Sequence, residues 1–120
     1  MRIMKQSIVF ILALSSILTA CAKRDTKLAR EIRGTWSHGA HAIAMTPDGS
    51  FSESFSSKSG TNIFDGTWQV SDGFLIFTVT NASGTHPGTA IGSEERYKII
   101  RADAHQLVYE MNGQTITLNR

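Results

Sequence analysis

From residue 34 to the end, the chain alternates between short runs rich in Ile, Val, Phe, Trp, Tyr and Thr and clusters of Gly, Asp, Asn, Pro and Ser. That is the pattern of strands punctuated by turns. It predicts strands at 35–38, 41–46, 50–57, 62–70, 74–80, 94–101, 106–111 and 114–118. The stretch "SFSESFSS" at 50–57 alternates with period two, so Phe51, Glu53 and Phe55 share one face and Ser52, Ser54 and Ser56 take the other. In 62–70, Phe64, Trp68 and Val70 fall on one face. Residues 74–80, "FLIFTVT", are apolar on both faces, which predicts the most buried strand of the set.

The punctuation is specific. "ProAspGly" at 47–49 supplies a proline with preset φ and a glycine for positive φ. "SerAspGly" at 71–73 and "AsnGly" at 112–113 sit between apolar runs, as tight hairpin turns do. The longest loop is expected at 81–92, where Gly84, Gly88 and Gly92 bring flexibility; it is the best candidate for an interaction loop. No helical period interrupts the strands. The expected fold is all-β: an antiparallel up-and-down meander of about seven or eight short strands closing into a barrel or half-barrel, with a two-sheet sandwich as the alternative. Strands this short favour a filled core over a deep cavity.

The first 33 residues have a different texture. Arg2 and Lys5 precede "SIVFILALSSIL" at 7–18, a charge-free run too short to span a bilayer as a helix of about 20 residues. Small residues then lead into Cys21, which is a secretory layout. "Leu18-Thr19-Ala20-Cys21" resembles the lipobox of bacterial lipoproteins. The resemblance implies cleavage before Cys21, a diacylglycerol thioether on its sulfur and an acyl chain on its new amino group. It also accounts for a single cysteine in an exported chain, which has no partner for an intramolecular disulfide. Several acyl chains anchor stably where one holds only marginally. The chain thus divides into a signal peptide (1–20), a lipidated cysteine and tether (21–33) and a β-domain (34–120). The tether carries Lys23, Arg24, Lys27, Arg30 and Arg33 against Asp25 and Glu31. It reads either as a solvated linker or as a basic segment meeting acidic lipid headgroups. A turn or two of helix at 26–32 would place Leu28 and Ile32 on one side. The residue after the cysteine is Ala22, not the aspartate typical of inner-membrane retention. The implied location is the bacterial cell membrane, and the outer membrane facing the periplasm if the cell has two.

A second resemblance covers residues 32–118. "IRGTW" at 32–36, "MTPDGSF" at 45–51, "FDGTWQVSDGFLIF" at 64–77 and "HQLVYEM" at 105–111 look like small bacterial lipocalin-like domains. The resemblance implies a barrel that could hold a small apolar ligand among its aromatic side chains, with Trp36, Phe64, Trp68, Phe77 and Tyr97 as candidate lining residues. The alternative role is a structural or protein-interaction module of the envelope without a ligand. The two "GlyThrTrp" triplets, 34–36 and 66–68, share too little flanking sequence for a repeat. They read as two strands that each pack a tryptophan against the core or the barrel floor.

Charge and candidate chemistry narrow the rest. Cleavage removes Arg2 and Lys5 and leaves ten basic residues against ten acidic ones, so nucleic acid is not an expected partner. His38 and His41 flank a probable turn and could converge. With His86 and His105 they are the only imidazoles. Zinc normally takes three or four protein ligands, so a site would need Glu53 or His86 brought in by the fold, and no metal or cofactor is expected. No serine sits in a Gly-x-Ser-x-Gly elbow, and adjacent Glu94 and Glu95 point to opposite faces of a strand. No enzyme activity is expected. Replacing Cys21 by Ser should release the protein from the membrane fraction and abolish labelling by radioactive palmitate, with the unfolding midpoint of the domain unchanged. Continued membrane retention of a labelled C21S protein would refute the anchor.

Overall fold

The computed structural model describes residues 22–84 and 91–120. The segment expected to be a signal peptide, Cys21, His86 and the centre of the 81–92 segment lie outside the described residues. A helix, α1 (22–31), is followed by eight strands. These are β1 (Gly34–His38), β2 (His41–Met45), β3 (Ser50–Ser57), β4 (Gly60–Ser71), β5 (Phe74–Ser83), β6 (Glu94–Ala102), β7 (Gln106–Met111) and β8 (Gln114–Asn119). Each strand pairs antiparallel with the next, and β1 meets β8 through Ser37 and Asn119 to close the barrel. One closed sheet replaces the sandwich alternative and leaves no free edge.

The hairpin turns follow the sequence signals. Asp72 and Gly73 have φ of 53° and 78°, and Asn112 and Gly113 have 50° and 78°. Positive φ at both central residues matches the twist of the flanking strands, which is why Asp-Gly and Asn-Gly occur there. The first half of β5 is buried on both faces: Leu75, Ile76, Phe77 and Val79 are 5% exposed or less.

Two irregularities separate the observed strands from the expected ones. β5 runs to Ser83, where a loop was expected from Asn81. Gly66 pairs with Val79 and Asp65 with Asn81, so Thr80 is an extra residue in β5. Its hydroxyl donates to the Asp65 carbonyl at 3.3 Å. The bulge shifts the alternation by one, so Ala82 packs toward the core and polar Asn81 and Ser83 face outward. A polar stretch in which the period breaks reads as loop. β6 carries a second bulge: Ile99 pairs with Tyr109 and Arg101 with Val108, which leaves Ile100 unpaired and 52% exposed.

One end of the barrel is closed. The stretch expected as a tether is built into it: α1 lies across this end, Leu28 and Ala29 pack on the core, and Ile32 is fully buried. Asp25 accepts the backbone N–H groups of Asp72 (2.8 Å) and Gly73 (2.9 Å), fastening α1 to the β4–β5 turn. Trp36 is fully buried and its indole N–H donates to the Ile32 carbonyl at 2.8 Å. The indole of Trp68 donates to the Thr46 carbonyl at 2.9 Å. Arg120 lies with its guanidinium 4.0 Å from the centre of the Trp36 ring. It donates to the carbonyls of Glu31 (2.9 Å), Arg33 and Ala104 (3.1 Å). Both tryptophans therefore form the floor, as the "GlyThrTrp" reading expected.

Above the floor the interior is filled with side chains. Phe51 and Phe77 lie 4.6 Å apart, Phe77 and Tyr97 5.9 Å, and Tyr97 and Tyr109 5.2 Å, forming an aromatic row from floor to mouth. Tilted and offset arrangements of this kind add about 0.5–1.5 kcal/mol per pair beyond area burial.

Gly66 marks the tightest approach between strands. A Cβ built there would lie 1.9 Å from the Thr78 carbonyl oxygen and 3.0 Å from the Phe51 ring. Backbone cannot yield as a flexible side chain can, so Gly66→Ala should lose at least about 2 kcal/mol of stability. Urea unfolding would measure this; an unchanged midpoint would show that the β4–β5 bulge relaxes freely. Trp36→Ala should cost about 3–5 kcal/mol, well above the effect of Arg120→Ala, whose contact with the ring from the solvent side contributes about 0.5–1 kcal/mol.

Candidate functional site

The opposite end of the barrel is its mouth. It is bounded by the β1–β2, β3–β4 and β7–β8 turns and by the end of β5 and the start of β6. Strand alternation carries the interior face up to the rim. His41 begins β2, Glu53 and Phe55 lie on β3, Tyr97 on β6, Tyr109 and Met111 on β7 and Ile116 on β8. These residues line a cleft of about 110 Å³. A neighbouring hollow of about 240 Å³ is lined by Glu95, Arg96, Tyr97, Met111 and Asn112.

Two polar pairs hold the mouth. His41 stands opposite Phe55 in the β2–β3 ladder, which puts Glu53 on its diagonal, within reach across one face. His41 Nε2 lies 2.7 Å from Glu53 Oε2, and the imidazole stacks on Phe55 at 4.3 Å with 9° between the planes. Glu53 is 8% exposed, a buried carboxylate among aromatic rings. A charge in such a place is tolerated only when paired or hydrogen-bonded, and His41 supplies the bond. On the other wall, the Tyr97 hydroxyl donates to Glu95 Oε2. Tyr97 and Tyr109 stack with their planes 25° apart.

Burial raises both phenol hydroxyls well above the usual value, because the phenolate would be desolvated. For Tyr97 the hydrogen bond to Glu95 adds to this, followed by the charges of Glu95 and Glu53; for Tyr109 the charges of Glu53 and Glu95 add to it.

The residues singled out from sequence fall at different depths. Trp36 and Trp68 sit on the floor with both indole N–H groups committed to carbonyls. Phe64 lies in the core, edge-on to Phe55 at 6.1 Å, and Phe77 packs between Phe51 and Tyr97. Tyr97 alone of the five lines the cleft. His38 and His41 do face each other across the β1–β2 ladder. The fold also brings Glu53 to His41, yet His38 is exposed at the rim. Among the described residues no group of three or more His, Cys, Asp or Glu side chains is placed to hold a metal. Glu94 and Glu95 take opposite faces as expected, Glu94 exposed and Glu95 turned to the Tyr97 hydroxyl.

Glu53, Phe55, Tyr109, Met111 and Ile116 were not among the expected lining residues. The signal for Glu53 was present in "SFSESFSS", where one acid shares a face with two phenylalanines. The others lie on the same period-two face as recognised core positions, one or two steps nearer the turn.

Together these features define a class: an eight-stranded, up-and-down closed barrel with a packed interior, a floor made by a helix and two tryptophans, and an aromatic, acidic mouth. Comparison with protein-family models, with curated proteins and with solved structures finds no match.

Tyr97 and Tyr109 are the only tyrosines in the chain. Their raised values mean that above pH 10 the unfolded chain loses protons that the folded one keeps, so stability falls as pH rises past 10. Absorbance at 295 nm should stay flat through pH 10–11 and then rise in a single step together with unfolding by circular dichroism. A phenolate signal growing near pH 10 in the folded protein would contradict the buried mouth.

Proposed function

We propose that the chain is a bacterial envelope lipoprotein in which a lipocalin-like barrel, held to a membrane through lipidated Cys21, binds at its mouth a small molecule or a projecting group of a larger one. The observation that carries this reading is the position of the mouth cleft at the end of the barrel opposite α1. Cys21 is one peptide bond from Ala22, the first residue of α1, and α1 is fastened to the floor. The anchor therefore leaves from the closed end and the mouth points away from it. Lys23, Arg24, Lys27, Arg30 and Arg33 are all exposed on this anchored side. Each contributes about 1 kcal/mol against acidic headgroups near the surface. With Ala22 after the cysteine, the outer membrane is the proposed location in a cell with two.

The size of the cleft limits the occupant. Pockets for whole small molecules span roughly 300–1,000 Å³, and about 110 Å³ holds one group. The role is binding, not turnover: His41, the one imidazole among the described residues that line the cleft, has its Nε2 on Glu53 and one ring face on Phe55. The filled interior favours a second reading, in which the barrel docks an envelope protein through the mouth and takes no free ligand.

After cleavage two methionines remain, Met45 on the floor and Met111 at the mouth. Methyl-labelled, lipidated protein in maltoside micelles gives one probe for each end. Titration with a panel of fatty acids, small aromatics and cationic and zwitterionic amphipathic solutes should include at least one member that moves the Met111 methyl signal and leaves Met45 unmoved. A panel that moves neither would overturn ligand binding and leave docking. Movement of Met45 alone would place binding on the floor and contradict the mouth.

A further inference from the structure

We propose that the group received by the mouth cleft is a methylated, quaternary ammonium; this rests on the reading of the mouth as the binding end. The lining combines four rings (His41, Phe55, Tyr97 and Tyr109), the apolar side chains of Met111 and Ile116, and one carboxylate, Glu53. No lysine or arginine lines it. The sign of charge follows: an anion would meet Glu53 in a water-poor site, and a neutral apolar group would strip water from that carboxylate and return nothing. A cation gains from the carboxylate and from the electron-rich ring faces together. His41 and Tyr97 hold the carboxylates of Glu53 and Glu95 in place, so the acidic groups a cation would meet are positioned before it arrives.

Hydrogen-bond capacity distinguishes among cations. A primary ammonium brings three N–H donors that need acceptors once water is removed. In the cleft, Glu53 Oε2 is bonded to His41 and the Tyr97 hydroxyl proton is given to Glu95, so Glu53 Oε1 is the carboxylate oxygen left to accept, one strong acceptor for three donors. A quaternary ammonium brings no donor and leaves none unmet. Its methyl groups suit Phe55, Met111 and Ile116, and its bulk suits the room, about that of three or four waters at about 30 Å³ each.

The test uses the same lipidated protein with labelled methionine methyls. Choline chloride is compared with 3,3-dimethylbutan-1-ol, its uncharged carbon counterpart, and with n-butylammonium chloride. Choline should move the Met111 methyl saturably and bind at least about tenfold more tightly than either, with Met45 still. Equal or tighter binding of the neutral alcohol at Met111 would overturn the cation while leaving mouth binding intact. Equal or tighter binding of butylammonium would overturn the methylated group. No shift with any of the three would overturn the inference, and the wider panel then decides whether mouth binding also fails. A dihexanoyl phosphatidylcholine arm, below its micelle concentration, separates the two sources of the group: tighter binding than free choline assigns a lipid headgroup, and equal or weaker binding assigns a free solute. Glu53→Gln should reduce choline to the affinity of the alcohol. If that variant does not fold, Met111→Lys, at the half-buried rim, puts an ammonium into the cleft and should abolish choline binding; unchanged choline affinity in M111K would overturn the site.

Discussion

The barrel depends on the way Trp36 is buried. A fully enclosed indole stabilises through its large apolar surface, but its N–H must find an acceptor when water is removed. The acceptor is the carbonyl of Ile32, in the turn that leaves α1. One ring thus fixes the position of the helix, the start of β1 and the floor. Arg120 covers the ring from outside and binds carbonyls on both sides of the same turn, at Glu31 and Arg33. The burial is the larger contribution; the exposed guanidinium works as a latch that keeps the first and last segments in register.

Much of this was legible in the sequence. Runs of apolar, aromatic and β-branched residues between turn clusters located all eight strands, and Asp72-Gly73 and Asn112-Gly113 announced their hairpins because the required φ values exclude most other residues. The floor tryptophans were legible as core-facing positions of β1 and β4, because each is a large apolar ring in a strand. The bulges were not. Thr80 and Ile100 are inserted where the partner strand sets the register, and nothing local distinguishes them from paired residues. The role of the 22–33 segment was only half legible. The spacing of Leu28 and Ile32 suggested a helix, but a surface for them to bury against exists only once the barrel is closed.

The site was legible in its parts and not in its assembly. Glu53 could be placed on the core face, and His41 could be placed at a turn. Their meeting depends on the stagger between β2 and β3, a property of the ladder. The two ends of the barrel consequently have opposite characters. On the floor each tryptophan N–H meets a backbone carbonyl, and the surroundings are apolar. At the mouth, Glu53 and Glu95 are held by one imidazole and one phenol, and their charge is left to act on whatever approaches.

The seam between β1 and β8 has a kinetic consequence. Every other neighbouring pair of strands is also adjacent in sequence, so each can pair across a local connection, the longest being 84–93 between β5 and β6. The seam joins Ser37 to Asn119 and needs nearly the whole domain in place first. Contacts of such long separation slow two-state folding. The order implied is a sheet that grows by zipping from turn to turn and a final circularisation, in which Trp36, α1 and Arg120 come together in one step. Until that step both edges stand open, so the interval before closure is when this chain is most exposed to pairing with another copy of itself.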